Sequence, residues 1–182
     1  MDVPEGVTCL LGFANCERLR SAALPDSVTE LSFAGCERLE ACDVPSGVTR
    51  LDGTFNGCAA LRRVSLPEGL TEIGDRAFYS CGSLTSVSFP ESLETIGTDA
   101  FRYCRGIQEF RFPANVKEIG AGCFYNCSLE RVIYESEDLT GMKTGYDIFG
   151  GGPLYVYFAG NRDRWNPACG GSREAQTIFY NS

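Results

Sequence analysis

Phe, two further residues, then Cys: this pattern recurs six times, at Phe13/Cys16, Phe33/Cys36, Phe55/Cys58, Phe78/Cys81, Phe101/Cys104 and Phe124/Cys127. Each copy follows a proline (Pro4, Pro25, Pro45, Pro67, Pro90, Pro113), and the prolines stand 21, 20, 22, 23 and 23 residues apart. A unit that short cannot bury its own apolar side and must stack on its neighbours. The chain is a repeat protein, and its extended surface is a better place to look for function than a catalytic pocket.

The fullest unit runs from Pro67 to Phe89. It ends in Leu84-x-x-Val87-x-Phe89, the L-x-x-L-x-L core of a leucine-rich repeat, with equivalents beginning at Leu19, Leu39, Leu61, Ile107 and Leu129. Residues two apart share one face of a strand, so the second and third apolar positions of each core face inward. A shorter apolar segment follows each proline, as in Leu70/Ile73 and Leu93/Ile96. From Leu10, Leu31, Leu51, Ile73 and Ile96 to the following Phe the steps are 3, 2, 4, 5 and 5. All variation in repeat length sits in that one connection. Strands stack in register on one side while the opposite edge absorbs change.

These residues resemble the BspA-like leucine-rich repeat family, whose units read roughly L-P-x-x-L-T-x-I-G-x-x-A-F-x-x-C-x-x-L-x-x-V. The resemblance covers Pro4 to about Tyr134 and is fullest from Pro67 onward. It implies a β-rich repeat solenoid: a right-handed leucine-rich repeat with short parallel strands and a C-terminal cap. Residues 1–134 are expected to form six units of 20–23 residues, and 135–182 a degenerate repeat and cap on the same continuous core. Leu154–Gly160, Trp165-Asn166 and Thr177–Asn181 resemble the family's closing segment, with Trp165 covering the apolar end of the stack. Phe78, Cys81, Leu84, Val87, Phe101, Cys104, Phe124 and Cys127 are expected to be buried. The early units lack the full Gly-x-x-Ala-Phe connection, which predicts tighter or irregular coiling in the first third.

Ten cysteines invite a disulfide reading, but six occupy one repeat position, where free cysteine serves as a small buried hydrophobe. There is no C-x-x-C pair and no histidine, so zinc ligation has no constellation and acid–base catalysis lacks its commonest group. Gly150-Gly151-Gly152 precedes a strand rather than opening a helix and reads as a turn. Neither an enzyme nor a cofactor or metal site is expected. No apolar stretch is long enough to cross a membrane. Met1–Gly6 shows no basic n-region or apolar h-region, and unpaired thiols suit a reducing cytosol, so a cytoplasmic location is expected. Family members are commonly surface proteins with export signals, which makes a bacterial cell-surface adhesion module the alternative.

The formal net charge is −8, and residues 1–60 hold the largest share of the excess acid. Such a balance makes DNA or RNA a poor primary ligand, although Arg62, Arg63, Arg102, Arg105, Arg111 and Arg131 allow weak nucleic-acid contact. A protein partner is expected instead: a basic nucleic-acid-binding enzyme. The size, acidity and repeat type are similar to those of anti-CRISPR inhibitors directed at the RNA-guided type II nuclease, with occlusion as the implied mechanism. The expected binding residues are the outward strand positions Arg63, Glu109, Arg111, Arg131, Tyr155 and Tyr157, with Ser65, Ser86, Ser88 and Ile133 between them. An acidic ridge of Glu68, Glu72, Glu91 and Glu94 would steer the partner. The N-terminal coil, with Val3, Val7, Leu10 and Phe13 uncovered, predicts a homodimer through that end.

Overall fold

One side-chain position per coil sets the architecture. The rings of Phe13, Phe33, Phe55, Phe78, Phe101 and Phe124 follow one another at centroid separations of 6.3, 6.1, 5.3, 5.0 and 5.3 Å. Phe149 adds a seventh step, 5.7 Å beyond Phe124. The computed structural model describes residues 2–150, 155–170 and 176–179. Leu154, Tyr180, Asn181 and Gly151-Gly152, all assigned from sequence, lie outside them.

The interplanar angle falls from 49° at the first step to 2° between Phe101 and Phe124. Connection length explains the gradient. Gly53, Arg76, Asp99, Gly122 and Asp147 stand two residues before their Phe with positive φ, a turn that the shorter connections of the first two coils lack. A second left-handed residue precedes the Cys of each coil: Asn15, Gly35, Gly57, Ser80, Tyr103 and Asn126. Gly and Asn suit that conformation, whereas a bulky Tyr is uncommon there.

The stack is bonded along three sides. On the back, parallel strands Cys9–Leu10 and Glu30–Leu31 pair with each other. Arg50–Leu51, Glu72–Ile73, Thr95–Ile96, Glu118–Ile119 and Lys143–Thr144 continue as one five-stranded parallel sheet. Along the Phe edge, from Phe33 to Phe124 each Phe N–H donates to the carbonyl before the next Phe, as in Phe78 to Ala100 and Phe101 to Cys123, both 2.8 Å. Behind the back strands the coils approach too closely for a side chain. A Cβ on Gly97 would stand 2.7 Å from the Asp75 backbone nitrogen, so glycine is required there.

The front departs from expectation. Ala41–Asp43 pairs with Arg63–Ser65, and Glu109–Phe112, Arg131–Tyr134, Tyr155–Phe158 and Gln176–Phe179 form a four-stranded parallel sheet. Between the two, Thr85–Phe89 of coil 4 forms no strand. Val87, expected to be buried, is half-buried, as is Phe89. This segment lies at a change of core size: Val64 and Leu66 in coil 3 give way to Phe110 and Phe112 in coil 5. Phe89 leans toward the larger side, 5.8 Å from Phe101 and 4.8 Å from Phe110. Cys127 is likewise half-buried rather than buried, near the end of the cysteine ladder. The remaining residues expected inside are buried.

The ladder thiols have a polar partner. Cys58 Sγ donates to the Phe33 carbonyl at 3.2 Å, Cys81 to Phe55 at 3.1 Å and Cys104 to Phe78 at 3.0 Å. Each Phe carbonyl also accepts the N–H of its own coil's Cys. Burial pushes the Cys58 thiol up to about 12 and raises those of Cys81 and Cys104 well above the ordinary thiol value. All ten cysteines are free. At the far end Trp165 packs on Tyr134, Phe158 and Phe179. The Tyr134 hydroxyl donates to the Cys169 carbonyl at 2.9 Å, which closes the last coil.

Two outcomes follow. Phe101→Ala should cost about 3–5 kcal/mol in denaturant titration, and a cost below about 1 kcal/mol would remove the ring stack as the organising element. The buried thiols should make stability fall in alkali. Cys58 has an unfolded reference near 9.0 and a folded value of about 12. The native state therefore keeps a proton that the unfolded chain releases, and its contribution is complete below pH 9 and lost as pH rises toward 12. The fully buried Cys58 alone should cost about 1.4 kcal/mol per pH unit across that window. Unfolding midpoints that stay level from neutral pH to about 11 would contradict thiols buried as neutral donors.

Candidate protein-binding face

Parallel register builds the front face in rows. Glu109, Arg131 and Tyr155 are aligned partners across three strands, and Arg111, Ile133 and Tyr157 form the next outward row. Five of the ten residues expected to bind a partner, Glu109, Arg111, Arg131, Tyr155 and Tyr157, thus share one sheet. Glu109 lies between two cations, with Arg111 Nε at 3.0 Å from one carboxylate oxygen and Arg131 Nη2 at 3.2 Å from the other. Tyr155 and Tyr157 have ring centroids 6.5 Å apart, and Tyr155 is 41% exposed. Ile133 has an outward register position but is only 9% exposed, so it adds little contact area of its own.

Arg63 is exposed, but it belongs to the separate two-stranded front sheet, beyond the break at coil 4. At the break the surface sinks into a recess of about 570 Å³. Ser86 and Ser88 lie on its coil 4 side, and Glu91, Glu109, Arg111 and Arg131 join it from the residues expected on sequence grounds. Glu130 and Glu135, which sequence reasoning passed over, also line it. The signal for them was present: both flank the coil 6 strand core, and neither stands at an inward position.

The acidic ridge is less uniform than its sequence spacing suggests. Glu72 pairs with Arg50 at 2.9 Å and Glu94 with Lys117 at 2.9 Å. Glu68 and Glu91, each following its proline, are exposed and have no cation within ion-pair distance among the described residues. Glu72 is a back-strand residue in register with Thr95, so Glu94 does not continue its column.

Two other features bear on binding. On the Phe edge, Arg102 lies over the rings of Tyr103 and Tyr125, at 5.2 and 4.5 Å, and bonds Asp99 at 3.1 Å. The sequence places Arg102 among the bases that allow weak nucleic-acid contact, without its aromatic partners. Tyr79 and Tyr125 at the equivalent position of coils 4 and 6 were the available clue. At the N-terminal end Leu11 is 55% exposed, and Phe13, Cys16 and Leu19 border a shallow depression.

The thiols of Cys81 and Cys104 are raised by burial and donate to carbonyls, and among the described residues no group of three Cys, Asp or Glu is placed to hold a metal ion. No described helix is long and apolar enough to cross a membrane.

Comparison with known proteins agrees with the architecture. A model of the BspA type leucine rich repeat region matches in six copies, over residues 11–52 and 30–149. The chain belongs to that family. It is 31% identical to the leucine rich repeat protein of T. pallidum, covering 76% of this chain and 72% of that one, with a TM-score of 0.60. A leucine-rich repeat protein from Bacteroides ovatus is 20% identical over 87% of this chain and 63% of its own, with a TM-score of 0.50. The pneumococcal vaccine antigen PcpA is 18% identical over 89% and 56%, with a TM-score of 0.59. The last two show likeness of fold alone. No curated protein matches in sequence.

Proposed function

We propose that this member of the BspA-type leucine-rich-repeat family is a non-catalytic protein-recognition module that inhibits a basic, nucleic-acid-handling enzyme by occluding it. One observation carries the reading. The front sheet aligns arginines and tyrosines, the residue types that dominate binding energy, beside Glu91, Glu130 and Glu135, which have no cation within ion-pair distance among the described residues. A net charge of −8 extends that field over the whole molecule and favours encounter with a basic partner. Within the class, the sharpest target is the RNA-guided type II nuclease, whose cationic channel an acidic repeat surface would block. That is an anti-CRISPR role. Ten free cysteines fit a reducing cytoplasm as the site of action.

The second reading, a bacterial cell-surface interaction module, is favoured by the likeness of fold to a pneumococcal vaccine antigen. Capture from a bacterial lysate, with and without nuclease treatment, separates the two. Recovery of a nucleic-acid enzyme supports inhibition, and recovery of only wall or matrix ligands supports adhesion. The apolar N-terminal end, with Leu11 and Phe13, is a further contact surface that a second copy would cover. Light scattering at micromolar concentration should then show a dimer, and a monomer of unchanged stability would remove that contact.

Against the captured partner, Tyr155→Ala with Tyr157→Ala should raise the dissociation rate about tenfold or more and leave association nearly unchanged. Reversing Glu68 and Glu91 to Lys should instead slow association, with an effect that shrinks as salt is raised. If both variants fold and neither rate moves, the front face is not where the partner sits.

A further inference from the structure

We infer that the recess on coils 4–6 binds an extended peptide segment with basic side chains, held through its backbone by strand addition. The inference rests on the protein-recognition reading and names the ligand class for that face.

The break in the front sheet carries it. None of the backbone N–H or carbonyl groups of Thr85, Ser86, Val87, Ser88 and Phe89 is hydrogen-bonded within the described chain. Both neighbouring strands are open on the side that faces them. Among the described residues, Arg63–Ser65 pairs only with Ala41–Asp43, and Glu109–Phe112 only with Arg131–Tyr134. Elsewhere along the stack the back sheet and the Phe edge leave few such groups unused. An unpaired run of backbone is a template for another chain, and an extended peptide supplies matching donors and acceptors at every second residue.

The side chains suit the same occupant. Ser86 and Ser88 are small and exposed, so a second backbone can come close. Val87 and Phe89 remain half-buried and offer apolar contact between them. Charge decides the ligand's sign. Arg111 and Arg131 are spent on Glu109, whereas Glu91, Glu130 and Glu135 line the recess without a cation in ion-pair distance among the described residues. Three uncompensated carboxylates attract Lys and Arg and repel phosphate, which favours a basic peptide over a nucleic-acid strand.

The test is selection of random displayed decapeptides on the intact chain, followed by synthesis of the strongest binder. The selected sequences should be rich in Lys and Arg and poor in Pro. N-methylating one alternate set of its amides should weaken binding about tenfold, and methylating the other set should change it little. Glu91→Gln, Glu130→Gln and Glu135→Gln together should weaken it to a similar extent, with an unchanged melting temperature confirming the fold. Amides of residues 85–89 should exchange rapidly in the free chain and slow on binding. No enrichment, binding indifferent to both methylated peptides, protection confined to other residues, or tighter binding of a single-stranded oligonucleotide would overturn the proposal. If the peptide fails while a lysate protein still binds through Tyr155 and Tyr157, the recess is wrong and the module stands. Failure of both removes the module itself.

Discussion

The phenylalanine carbonyl is the joint on which this stack depends. It lies inside the solenoid, where an unpaired acceptor costs on the order of 1–3 kcal/mol. Two donors meet it: the N–H of the Cys three residues on, and the thiol of the Cys one coil later. The pattern Phe-x-x-Cys is thus one unit of chemistry. The ring supplies apolar area and stacking. The left-handed residue before Cys turns the chain back toward the Phe carbonyl. The thiol adds a donor while filling its site as a small hydrophobe. Serine would donate more strongly, but its hydroxyl is costlier to take out of water.

The candidate binding face follows from a fault in that regularity. The front sheet is interrupted where the core changes from Val64 and Leu66 to Phe110 and Phe112. Coil 4 must fit both and joins neither sheet. Because the back sheet and the Phe edge run through this point without a break, the solenoid holds together and the irregularity stays local. A recess in a repeat surface breaks its translational sameness, and a partner can be held at one register along the stack rather than sliding by a coil.

Repeat number, coil path and the inward rows were legible in the sequence because one residue type recurs at one position and the length variation sits at one connection. The seventh coil was partly hidden. Phe149 stacks like its predecessors, yet no Cys follows it at the third place, so the Phe-x-x-Cys pattern ends at Phe124. The failure of the coil 4 strand was not legible. Leu84-x-x-Val87-x-Phe89 has the same spacing as the other units, and the change in core size between coils 3 and 5 is not a property of that segment's own sequence. Exposed rows were readable from alternation, and two ion pairs from the register. Glu72 and Glu94 occupy different repeat places, and each finds its cation, Arg50 or Lys117, at its own place in the neighbouring coil.

The ring angles described for the Phe stack amount to a gradient of stiffness. Rings nearly parallel at Phe101 and Phe124 slide little without losing contact, while the 49° step from Phe13 to Phe33 leaves the first coil loosely seated. Trp165 clamps the opposite end. Under a pulling force such a solenoid is a graded spring. Its ring contacts are expected to give way first at the tilted Phe13 step and last where the rings lie parallel.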